Sequence, residues 1–122
     1  MKACRATGGL ARADELRRRL GLSQAETNRQ LNLWASERRI CHLGWRGRLW
    51  LPMFQFAGPG MAPQPAVAMA VAEWRGVLAD AALCLWFVQP NGALAGLSPA
   101  QVIADTKAVC IAARRNRRLR QA

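Results

Sequence analysis

Trp45 to Phe56 reads WRGRLWLPMFQF. Arginines and large apolar residues alternate along it, which is a strand pattern. Pro52, which has no N–H to donate, is expected to end strand pairing there. Met53, Phe54 and Phe56 then supply apolar anchors around Gln55. The stretch joins two segments of different character. Met1 to Phe56 carries 11 Lys+Arg and 4 Asp+Glu, a net charge of +7. Ala57 to Ala113 carries 2 Lys+Arg and 3 Asp+Glu, a net of −1. Arg114 to Ala122 adds five arginines and no acid.

The net charge of +11 in 122 residues is therefore blocked, as a polyanion footprint is, rather than spread as a solvated surface is. Only Lys2 and Lys107 among the 18 basic residues are lysines. Guanidinium groups make forked contacts to phosphate and to guanine edges, so an arginine bias suits nucleic acid. Hydrophobic content of 52% is ample for a packed interior.

Upstream of the hinge, two helices are expected. The first spans about Ala13 to Leu20, with Asp14 and Glu15 in its positive first turn and Leu16 and Leu20 on its buried face. Gly21 stops it, and Leu22 fills the corner. Ser23 caps the second helix, about Gln24 to Glu37, with Glu26 completing a capping box. Thr27, Leu31 and Trp34 form its buried stripe at spacings of four and three. Ala25, Arg29, Asn32 and Ser36 face outward, with Gln24 and Asn28 on the flank. Asn and Gln suit adenine edges and Arg suits guanine, so this face has the chemistry of base readout. The spacing A-x-E-L-R-R-R-L-G-L-S-x-x-x-x-N-R is that of a compact helix-turn-helix with glycine in the turn. The competing reading is a plain helical hairpin with a polar outside.

Ile40–Leu43 and Leu49–Leu51 are expected as two short strands around Gly44-Trp45-Arg46-Gly47, either a small arginine-tipped β-wing or a hairpin that only packs on the helices with its arginines in water. Phosphate contacts are then expected from Arg17 and Arg18 on the first helix, Arg38 and Arg39 after the second, Arg46 and Arg48 on the wing, and Arg114, Arg115, Arg117 and Arg118 in the basic tail. Trp45 and Trp50 are expected to pack rather than to stack on bases, because no interleaved aromatic series accompanies them. Met1–Leu10 reads as a frayed lead-in.

Downstream, residues 57–65 read as a linker. A helix over Ala66 to Leu78 is expected to bury Val67, Val71, Trp74 and Leu78. A second, over Ala81 to Val88 and N-capped by Asp80, is expected to bury Leu83, Trp86 and Phe87. Pro90-Asn91-Gly92 makes a turn, and Gly96 allows a close backbone passage. Ser98-Pro99 starts a last helix with Val102, Thr106, Val109 and Ala113 in register, beside Ile103 and Cys110. The fold class is thus mainly α: a helix-turn-helix with a short β-hairpin wing over residues 1–56, a linker, a small helical bundle over 66–113, and a basic tail over 114–122.

Trp86 to Pro99, WFVQPNGALAGLSP, closely resembles the motif W-[FL]-x-x-P-N-x-x-L-x-G-x-[ST]-P of the C-terminal domain of Xre/MbcA/ParS-type bacterial antitoxins. Leu49 to Phe56, LWLPMFQF, is similar to the aromatic-Pro-x-[FW]-Q-F entry of the same proteins. The resemblance covers roughly Ala13 to Ala113. It implies a dimer that represses its own operon through the helix-turn-helix and binds a cognate toxin, often of the NAD-degrading RES type. It implies toxin contact on the exposed parts of Asn91 to Leu97 and of the last helix, with Asn91, Leu94 and Leu97 as the candidates.

The leading alternative is a protein-interaction module whose helical half masks and neutralises a cognate RES-type, NAD-degrading toxin, with DNA binding secondary. An RNA-binding or nonspecific basic protein needs arginines but no amides at readout positions. An enzyme is disfavoured by a single histidine, His42, few carboxylates and no Gly-rich phosphate loop. Cys4, Cys41, Cys84 and Cys110 form no C-x-x-C pair, so no metal and no cofactor is expected. Cys84 and Cys110 read as core residues and Cys4 as an exposed thiol, and a reducing cytoplasm is the expected compartment. Ala66–Val88 is interrupted by Glu73, Arg75 and Asp80, so no membrane span is expected. The expected partners are double-stranded DNA, a cognate toxin and a second copy of the chain.

Overall fold

The computed structural model describes residues 9–58 and 60–121. The elements run β1 (Leu10–Ala11), α1 (Ala13–Leu20), α2 (Gln24–Ser36), β2 (Leu43–Trp45), β3 (Arg48–Pro52), a 3-10 turn (Met53–Gln55), β4 (Phe56–Ala57) and β5 (Ala62–Pro63). Then follow α3 (Pro65–Trp74), α4 (Asp80–Val88), 3-10 turns at Gly92–Leu94 and Pro99–Val102, and α5 (Thr106–Gln121). The fold is mainly α with small sheets. The expectations placed on Cys4 and on Met1–Gly8 lie outside the described residues.

α1 ends where Gly21 turns left-handed at φ 67°, and the Leu22 N–H closes back on the Arg17 carbonyl at 3.3 Å. α2 begins at Ser23, whose hydroxyl oxygen accepts from the Glu26 N–H at 3.2 Å. The expected capping box is only half formed. The Glu26 carboxylate accepts from the Ser23 hydroxyl at 3.2 Å instead of reaching the Ser23 N–H. Thr27 is buried because its hydroxyl donates to the Ser23 carbonyl at 2.9 Å.

Leu10, expected in a frayed lead-in, forms a strand with Ala11. They pair antiparallel with β3, Leu10 opposite Pro52 and Ala11 opposite Leu51, giving the order β1-β3-β2. Pro52 does not end the pairing, because the Met53 N–H steps past it to the Gly9 carbonyl at 2.9 Å. Ile40 to His42 lie outside the hairpin, whose turn is only Arg46-Gly47, both left-handed at φ 51° and 71°. That is the two-residue turn that matches strand twist, with a non-glycine in its strained first position.

The 3-10 turn distributes its side chains between two cores. Met53 and Phe56 join Leu16, Leu31, Trp34 and Leu51, while Phe54 joins Trp74, Phe87, Val109 and the rest of the helical part. Gln55 between them is fully buried, and its amide spans both backbone groups of Cys41, accepting from the N–H at 2.8 Å and donating to the C=O at 2.9 Å. A side chain there does the work of a strand neighbour. The expected linker is also structured: Phe56 pairs with Pro63 and Ala57 with Ala62.

α3 packs along α5. It stops at Trp74 rather than Leu78 because Arg75 leaves the helical region (ψ 127°) and Gly76 is left-handed at φ 78°. Asp80 is the first residue of α4 and makes no cap bond. The last helix is split. Ser98 and Gln101 form a reciprocal capping box over Pro99–Val102, and Asp105 then accepts from the Ala108 N–H at 3.0 Å and starts α5 afresh. A short acid that bonds the backbone locally competes with continuing a helix, which explains the break. Gly96 is needed for its φ of 88°, not for close approach, since nothing lies within 4 Å of a Cβ placed there. Residues 114–121 are the final turns of α5, not a free tail.

Cys41 and Cys84 meet within the helical core. The hydrogen bond between them and their burial hold the Cys41 thiol well above its ordinary pKa. No described helix is long and apolar enough to cross a membrane.

Candidate nucleic-acid interface

The α2 surface follows from its periodicity. Thr27, Leu31 and Trp34 are buried, so Gln24, Asn28, Arg29 and Asn32 are all turned to solvent. None of these four side chains hydrogen-bonds another described residue. Their donors and acceptors are therefore available to a ligand. Leu33, 52% exposed, adds an apolar patch beside them that sequence reasoning passed over. An apolar side chain among amides is suited to a thymine methyl group.

Arg17 is half-buried and Arg18 exposed on α1, while Arg19 is tied to Glu15 at 3.0 Å. Arg39 lies 3.8 Å from Glu37. Arg38 is exposed in a left-handed conformation (φ 57°) and lines a cleft with His42, Arg75 and Asp80. At the hairpin tip, the Arg46 guanidinium sits 4.5 Å over the Trp45 ring, and Trp45 meets Trp50 edge-on at 6.0 Å. The Trp50 indole N–H donates to the Trp45 carbonyl at 3.2 Å. The two indoles pack on each other and hold Arg46 outward, and Arg48 is exposed beside them.

The C-terminal arginines divide into two sets. Arg117 donates to the Glu73 carbonyl at 2.8 Å and lies 3.8 Å from its carboxylate, and Arg114 approaches the same carboxylate at 3.8 Å. Those two fasten α5 to α3. Arg115 and Arg118 are exposed and make no ion pair with a described residue.

Asn91 is not on the surface where the resemblance would place it. It is buried, its Oδ1 accepts from the Ala93 N–H at 3.0 Å, and its Nδ2 donates to Asn116 Oδ1 at 2.7 Å. The reason is Asn116, 25 residues downstream, which no local pattern links to it. Trp86 is half-buried rather than central, and its indole N–H donates to the same Asn116 oxygen at 2.8 Å. Leu94 is half-buried and Leu97 exposed. Among the described residues no group of His, Cys, Asp and Glu is arranged to hold a metal ion. No family model, curated protein or solved structure matches the chain.

Proposed function

We propose that the protein is a sequence-specific DNA-binding regulator that reads double-stranded DNA with α2. The observation carrying this is the outward row Gln24, Asn28, Arg29 and Asn32 on a capped helix, in a segment with net charge +7. Amides and a guanidinium on one helical face match base edges in a major groove, whereas general attraction to phosphate requires only charge. The glycine-stopped α1, the three-residue connection and α2 support a helix-turn-helix, and the arginine-tipped β2–β3 hairpin supports a wing beside it. A single recognition helix covers few base pairs, so the working form is a homodimer on a two-fold site. A role as the antitoxin of a toxin–antitoxin pair, repressing its own operon, is favoured by the motif at Trp86–Pro99, with Leu97 as the exposed part that meets a partner protein.

Arg29→Ala tests the reading. Affinity for the specific site should fall by about 1–3 kcal/mol while affinity for scrambled DNA stays nearly unchanged. Equal losses on both would remove Arg29 from base readout. The arginines of α5 call for a different variant, because truncation would also delete Asn116 and Arg117, which hold the helices together. Arg115→Gln with Arg118→Gln should lower the slope of log affinity against log salt by about 1–2 on any sequence. An unchanged slope would place α5 away from phosphate.

A further inference from the structure

α3, α4 and α5 enclose an open cleft of about 470 Å³, within the usual size of small-molecule sites. Its floor is aromatic and aliphatic: Trp74 and Trp86, edge-on at 5.8 Å, with Leu78 and Leu85. Its polar lining comes from Asn116, Arg120 and Gln89, and no acidic side chain faces it.

The one charged group in this lining, the Arg120 guanidinium, is a donor. Asn116 Oδ1 already accepts from the Trp86 indole and the Asn91 amide. Two donors converging on that atom identify it as the oxygen, so what Asn116 still offers is its NH2 group. Trp74 is only 1% exposed, and its indole N–H has no hydrogen-bond partner. Arg120 pairs with no described acid. The Arg120 guanidinium and the Asn116 NH2 group thus flank an apolar floor, with the Gln89 amide beside them. Leu119, 75% exposed on the same rim, leaves a large apolar side chain in water that a bound molecule would cover.

We propose that this cleft binds an aromatic carboxylic acid, its ring against Trp86, Leu78 and Leu85 and its carboxylate toward Arg120 and the Asn116 amide. A flat ring suits the apolar floor, and a carboxylate supplies acceptors to the Arg120 guanidinium and the Asn116 NH2 group. The inference requires no DNA, so it stands or falls separately from the regulator reading.

The test uses the full chain with naphthalene-2-carboxylate and its uncharged twin, naphthalene-2-carboxamide. Calorimetry should show the acid binding one to one, about tenfold more tightly than the amide. In heteronuclear spectra the indole N–H signals of Trp74 and Trp86 should move, while those of Trp34, Trp45 and Trp50 stay. R120Q, at an exposed helix end, should remove the preference for the acid and leave the affinity for the amide unchanged. No binding of the acid at millimolar concentration, equal affinities for the two probes, or shifts confined to Trp45 and Trp50 would each overturn the proposal.

Discussion

Replacing Gln55 by alanine is expected to destabilise the protein by about 3–5 kcal/mol, because it leaves both backbone groups of Cys41 buried without partners. Each orphaned group costs about 1–3 kcal/mol, and the emptied site adds a cavity. Gln55→Met separates the two contributions. It refills the volume but still cannot satisfy the Cys41 N–H and C=O, so it should cost about 2–4 kcal/mol. Urea unfolding followed by circular dichroism measures both. A methionine variant within 1 kcal/mol of the parent would mean that the bracket around Cys41 contributes little.

Phe87→Ala should have an effect of similar size, about 3–5 kcal/mol, by a different route. The Phe87 ring is fully buried and lies 5.1 Å from both Phe54 and Trp86. Phe54 belongs to the turn that also sends Met53 and Phe56 into the N-terminal core. Loss of Phe87 should therefore lower one shared midpoint, seen alike by tryptophan fluorescence and by far-ultraviolet circular dichroism. Two separate transitions, with α1 and α2 persisting after the helical part has melted, would contradict a single cooperative unit.

What could be read from the sequence was what neighbours in the chain determine. Gly21 and Ser23 mark the α1–α2 junction by local chemistry, and the polar face of α2 follows from a period of 3.6 residues. The elements that escaped reading depend on distant partners. Leu10–Ala11 is too short for any pattern and becomes a strand only because Leu51 and Pro52 lie across from it. Asn91 looks like a turn residue and is one, yet its burial is decided by Asn116. Arg114 and Arg117 belong by composition with Arg115 and Arg118, and only Glu73 on α3 separates the two pairs. The aromatic cleft gathers residues from Trp74 to Arg120, so nothing in any one stretch announces it.

The proposed function rests on base readout by α2. Fluorescence anisotropy on the DNA upstream of the protein's own gene, with scrambled competitor at two salt concentrations, tests it most directly. Base readout requires binding that survives excess scrambled DNA at both salt concentrations. Binding that ignores sequence and collapses as salt rises would contradict it, leaving only arginines on phosphate.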